Sequence, residues 1–134
     1  MFTIYNFIIQ IISVLIIPLA LISKKIKKGV VGREKTFEFL KSCIEPKDQI
    51  FWFHCASLGE YEQGLPVFKF FKKKYPKVKI VLSFFSPSGY EVKKDNYLTP
   101  LTVYLPLDTK KNAINLIKIL NPKMVVFVKY DLWP

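Results

Sequence analysis

Cysteine is scarce in this sequence, and that scarcity excludes two classes of small protein. Cys43 and Cys55 are the only two, too few for a disulfide framework, and no metal-ligand spacing surrounds them. Reduced thiols in a cytoplasmic domain fit that usage. Histidine occurs once, at His54, inside an apolar run with no Cys or acidic partner at metal spacing. A zinc site is therefore not expected, and His54 reads as a hydrogen-bonded strand residue. Only five glycines are present, and none forms a GxGxxG or Walker pattern, so the common phosphate fingerprints are absent. Acidic residues are also few. Ten Asp and Glu stand against 21 Lys and Arg, a net charge of +11 that favours a polyanionic neighbour. Nucleic acid is the weakest such neighbour, because no binding motif appears and the aromatics fall mostly in predicted strands and helix cores.

Hydrophobic residues are what is plentiful, at 51% of the sequence, and most of the excess sits at the amino terminus. Residues Phe2 to Ile22 carry no charge, and as a helix they extend about 30 Å, the thickness of a hydrocarbon core. Lys24, Lys25, Lys27 and Lys28 follow directly, which by the positive-inside rule places the remainder on the cytoplasmic side. No basic residue precedes the run and no small-residue cleavage motif follows it, so a signal peptide fits poorly. Thr3, Asn6, Gln10 and Ser13 recur at helical spacing on one face, which leaves open a helix lying in the interface. The expected organisation is an anchor over 1–23, a basic connector over 24–48 facing anionic headgroups, and a domain over 49–134.

That domain alternates strand and helix. Ile50–Cys55, Val78–Phe85, Leu101–Leu105 and Met124–Val128 are apolar on successive residues, as strands buried on both faces should be. Helical patterns precede and separate them: Arg33–Lys41 ahead of the first strand, then Gly64–Tyr75, Pro87–Asn96 and a fourth whose core face reads Ala113, Ile114, Ile117 and Leu120. Pro66 fits the second only in a first turn or at a kink, and Asp108 or Thr109 caps the last. The order predicts an α/β fold with a Rossmann-like parallel sheet.

Ligands of open parallel sheets bind beyond the carboxyl ends of the strands. Four loops reach that edge: Ser57–Glu60, Ser86–Gly89, Pro106–Asp108 and Lys129–Pro134. Glu60 begins a helix, where a carboxylate either complements the helix dipole or, beside a bound hydroxyl, acts as general base. Ser57, Gly59, Ser86, Ser88 and Gly89 are candidate substrate contacts, though Ser57 and Ser88 equally suit turn caps. Asp131 is the second candidate carboxylate, or else an exposed loop acid. The lysines at 72, 73, 74, 77 and 79 are either a solvated face or a docking site for headgroups.

In series, these residues resemble the 3-deoxy-D-manno-octulosonic acid (Kdo) transferase family. The matching elements are FWFHCASLGE (51–60), YP (75–76), SPSG (86–89), YLPLD (104–108) and NPK…LWP (121–134), in the family's order after a hydrophobic helix and a basic segment. The resemblance implies the amino-terminal half of a GT-B type glycosyltransferase. Its first Rossmann-like domain would bind the lipid A precursor, and a second, expected outside this chain, would hold most of the CMP-Kdo site. It implies Glu60 as the catalytic base, no bound metal or cofactor, attachment to the cell inner membrane, and a fragment that binds acceptor without turnover. Where the family commonly carries glutamates before LWP, this chain reads Lys129-Tyr130-Asp131; Asp131 stands in for the last of them, and Lys129 alters the charge of the rim. The alternative is a non-catalytic, membrane-tethered module that binds anionic lipid.

Overall fold

The computed structural model describes residues 2–129. Asp131, Trp133 and Pro134 lie outside the described residues, as do the side chains of Thr3, Asn6 and Ser13. Two helices come first, α1 (Phe2–Ile22) and α2 (Lys24–Cys43), separated at Ser23 by its extended backbone. Then strands and helices alternate: β1 (Ile50–Cys55), α3 (Leu58–Lys74), β2 (Lys79–Phe84), α4 (Pro87–Lys93), β3 (Leu101–Tyr104), α5 (Lys110–Leu120) and β4 (Met124–Phe127). The four strands form one sheet in the order β3-β2-β1-β4, every pairing parallel. This is the α/β, Rossmann-like sheet the apolar runs predict. Among the described residues no helix is long and apolar enough to cross a membrane.

The sheet divides the interior in two, because successive strand residues point to opposite faces. Ile50 and Trp52 join Val81, Leu101 and Val103 beneath Leu40 of α2 and Leu116 and Leu120 of α5. On the other face, Phe53 and Cys55 join Ile80, Leu82 and Phe84 beneath Tyr61 and Phe68 of α3. The Phe53 and Phe68 rings stack with centroids 4.5 Å apart. Each large side chain buried in this way contributes about 1.5–3 kcal/mol.

Three helices depart from the expected pattern. Helix α3 starts at Leu58, six residues before the predicted Gly64, because Ser57 and Glu60 form a reciprocal capping box. Pro66 consequently lies mid-helix, not in the first turn, and cannot donate to the Glu62 carbonyl. Helix α5 buries Leu116 and Leu120, whereas Ala113, Ile114 and Ile117, assigned to the core by periodicity, face outward. Its isoleucines and leucines cover so much of the circumference that two faces fit the same pattern, and packing against α2 selects one. Helix α2 extends well beyond Arg33–Lys41 at its amino end. Leu40 is fully buried, and the Thr36 hydroxyl donates to the Tyr104 carbonyl at 2.9 Å.

Candidate functional site

The carboxyl edges of β1, β2 and β3 bring together three of the four predicted loops. The amides of Phe85 and Ser86 donate to the carbonyls of Cys55 and Ala56 at 3.4 and 2.8 Å, and Leu105 donates to Phe84 at 2.8 Å. Sheet pairing thus continues into the loops and sets their spacing.

Glu60 sits in the first turn of α3. Its Oε2 accepts from the amides of Ala56 at 2.5 Å and Ser57 at 3.1 Å. In return the Ser57 hydroxyl accepts from the Glu60 amide at 3.4 Å. Both bonds to the carboxylate fall on Oε2; among the described residues Oε1 takes no hydrogen bond. The capping box therefore orients the carboxylate through one oxygen alone. Gly59 beside it is exposed, and a Cβ there would meet only the Ser57 hydroxyl, at 4.0 Å. Open space therefore adjoins Gly59, the residue before Glu60.

Gly89 is buried for a different reason. A Cβ at this position would lie 2.6 Å from Phe84 Cδ1 and 3.2 Å from the Leu58 amide nitrogen. Only glycine lets α4 approach the start of α3 this closely, so the Ser86–Gly89 loop abuts the Ser57–Glu60 loop. Ser86 precedes Pro87 at the start of α4 and makes no side-chain cap. Its hydroxyl instead pairs with that of Ser88 at 2.6 Å, two hydroxyls at the rim suited to sugar or phosphate oxygens. In the third loop, Leu107 accepts from Asn112 Nδ2 at 2.8 Å and Thr109 caps α5. Lys129, at the end of β4, is left-handed with φ 68°, a conformation that costs an L-residue about 1–2 kcal/mol. Asp131 beyond it lies outside the described residues.

Arg33 of α2 was not singled out by the sequence, and it ties two of these loops together. Its Nη2 donates to the Phe85 carbonyl at 2.6 Å and its Nε to the Leu105 carbonyl at 3.0 Å. The guanidinium also lies 4.9 Å from the centre of the Phe85 ring. Burial lowers its pKa, with Tyr104 acting in the opposite direction, and it remains cationic. Tyr104 stacks on Tyr90 at 4.0 Å, and its phenol is pushed up to about 12, first by burial and then by Glu91. The signal was the helical spacing of Arg33, Thr36, Phe37 and Leu40, obscured by the lysines around them.

His54 and the lysine cluster complete the candidates. His54 is buried, with Nδ1 2.9 Å from the Ser83 hydroxyl. That hydroxyl accepts from Trp52 Nε1 at 2.8 Å, and the His54 tautomer decides which of the pair donates in the bond to the imidazole. Lys79 pairs with Asp48 at 2.6 Å, and Lys72, Lys73, Lys74 and Lys77 are exposed towards the edge of the sheet opposite the rim. Among the described residues no group of three His, Cys, Asp or Glu could hold a metal ion.

A parallel sheet with a carboxylate at its first strand-to-helix turn and paired hydroxyls at the second defines a Rossmann-like domain with polar groups along its carboxyl rim. Residues 32–134 match the family model for 3-deoxy-D-manno-octulosonic-acid transferase (Kdo transferase), and the chain belongs to that family. It is 33% identical over 100 residues to the 3-deoxy-D-manno-octulosonic acid transferase of Chlamydophila psittaci, covering 72% of this chain and 23% of that protein. It is 33% identical over 109 residues to the Aquifex aeolicus transferase, covering 73% and 29%. To the Haemophilus influenzae transferase it is 30% identical over 90 residues, covering 66% and 21%. The chain thus spans less than a third of the length of these curated relatives. No solved structure matches it.

Proposed function

We propose that this chain is the acceptor side of a glycosyltransferase that moves Kdo from CMP-Kdo to a lipid A precursor at the cytoplasmic face of the inner membrane. Glu60 is its general base. Oε1 takes the proton of an acceptor hydroxyl while that oxygen bonds to the anomeric carbon of Kdo. The bond from that carbon to the CMP phosphate oxygen breaks, and CMP leaves with the electron pair. Ser57 keeps its cap, and Gly59, Ser86 and Ser88 bound the space beside the carboxylate. Most contacts to the donor come from residues beyond the part of the relatives that this chain matches. α1 and the lysines at its end attach the domain to the membrane that contains the acceptor.

The observation carrying this reading is the half-engaged carboxylate. The helix cap engages Oε2 alone, and Oε1 is the oxygen left to meet an acceptor hydroxyl. The test joins this chain to the donor-binding portion of the Aquifex aeolicus relative and compares Glu60 with Glu60→Gln. The amide oxygen can still accept from Ala56 and Ser57, so the cap and acceptor binding persist. Transfer should fall at least 100-fold, the scale of lost general-base catalysis. Near-normal transfer by the variant would remove Glu60 from the mechanism.

A further inference from the structure

We infer that α1 lies along the surface of one bilayer leaflet, not across the bilayer, and holds the rim of the sheet at headgroup height. The identity of the apolar phase rests on the membrane reading above; the orientation rests on contacts within the chain.

Tyr5, near the start of α1, donates to Asp108 Oδ2 at 2.6 Å. Further along, Ile16 lines a cavity of about 230 Å³ with Val30 and Phe37 of α2 and Leu107 of the third rim loop. These two contacts are roughly 16 Å apart along the helix axis at 1.5 Å per residue, so α1 lies against the domain over much of its length. A spanning helix would separate Tyr5 from Ser23 by roughly 27 Å along the membrane normal. Asp108, tied to Tyr5, and the exposed Lys110 and Lys111 beside it would then enter or cross the hydrocarbon. Unpaired charges do not enter that phase.

The exposure pattern agrees. Tyr5, Ile9 and Ile16 are half-buried, whereas Ile4, Phe7, Ile8, Ile11, Ile12 and Leu15 are 44–68% exposed along the opposite side. A continuous apolar stripe of this length is larger than a soluble monomer normally presents to water. The occupant is a lipid leaflet and not a second copy of the chain, on grounds of charge. The chain carries a net charge of +11, and Lys24, Lys27, Lys28 and Lys35 of α2, the helix that follows α1, line one open cleft in which Glu91 is the one carboxylate. Glu91 is already shared between Lys28 at 3.6 Å and Lys94 at 3.7 Å. Two such surfaces repel each other, whereas anionic headgroups attract each lysine by about 1 kcal/mol.

The test uses the whole chain with Cys43→Ser, in vesicles of phosphatidylethanolamine and phosphatidylglycerol. Single nitroxide labels are placed through Ile4→Cys, Ile11→Cys, Leu15→Cys and Ile22→Cys, positions on the exposed side of α1. Depth is read from the relative access of oxygen and a nickel chelate. An in-plane helix gives four similar, shallow depths, agreeing within roughly one helix radius, about 5 Å. A profile deepest at Ile11 with Ile4 and Ile22 returning to opposite surfaces overturns the inference. So do four labels open to nickel in water, or four shielded from both reagents by a protein partner. Tyr5→Phe should loosen the label at Ile4 while leaving that at Ile22 unchanged; an unaltered line shape at Ile4 also counts against the tether. No donor or acceptor is present in these measurements, so their failure is separable from failure of the Kdo-transfer reading.

Discussion

Replacing Gly89 with alanine tests how the rim is assembled. The new Cβ would lie 2.6 Å from Phe84 Cδ1, 3.1 Å from Cε1 and 3.2 Å from the Leu58 nitrogen. Phe84 is fully buried and packs against Tyr61 with centroids 5.8 Å apart, so its ring has nowhere to turn. The Leu58 nitrogen is backbone and moves only with α3. Relief therefore requires α4 to shift outward by about 1 Å, and overpacking of this kind costs typically about 1–3 kcal/mol. Alanine gains up to about 1 kcal/mol over glycine within a helix, but Gly89 is in the first turn of a seven-residue helix, where little of that gain is realised. A net loss of about 1–2 kcal/mol follows. In detergent-solubilised chain, the urea midpoint read by tryptophan fluorescence should fall with an unchanged slope, and the thermal midpoint should fall by roughly 4 °C per kcal/mol. An alanine variant as stable as the native chain would mean that helix propensity outweighs the clash. The close approach of the two loops would then not depend on glycine.

Ser57→Ala removes one half of the capping box and should lower stability by about 1 kcal/mol in the same urea titration. Trp52→Phe deletes the bond from Nε1 to the Ser83 hydroxyl; the loss should be about 1–3 kcal/mol, larger than the area change alone implies, because a buried hydroxyl loses a donor. Alkaline pH should destabilise the fold through its buried phenols. Tyr61 and Tyr104 are both pushed up from 10.0 to about 12, chiefly by burial. Between those values the unfolded chain has released protons that the folded chain retains, so stability falls as pH rises from 10 towards 12. Urea midpoints compared with phenolate ultraviolet absorbance check this, and a midpoint that stays flat across that range contradicts it.

The strands were legible because burial on both faces leaves continuous apolar runs, and Ile50–Cys55 appears at its predicted bounds. The start of α3 was legible only in part: Glu60 read as a first-turn carboxylate, yet hydrophobic periodicity first becomes clear near Leu65, because the helix is initiated by the polar chemistry of Ser57 and Glu60. Periodicity also left the face of α5 ambiguous, since apolar residues at 114, 116, 117, 119 and 120 satisfy more than one stripe. At Glu60 the two sequence readings, dipole partner and base, prove not to exclude each other. One carboxylate oxygen serves the helix, and among the described residues the other takes no hydrogen bond. Arg33 escaped notice because its importance lies in two backbone carbonyls, Phe85 and Leu105, and carbonyls leave no trace in sequence.

The Arg33 clamp also sets a rule for trimming the protein. A soluble version cut just before β1 would discard the whole basic segment along with α1. With it would go the donor that bridges two rim loops, the Thr36 bond to Tyr104 and Leu40 from the core. β3, the edge strand on that side of the sheet, would lose a helix that covers it. The break at Ser23 is the physically sound place to cut. Removing residues 1–23 takes away the sticky surface while keeping the brace.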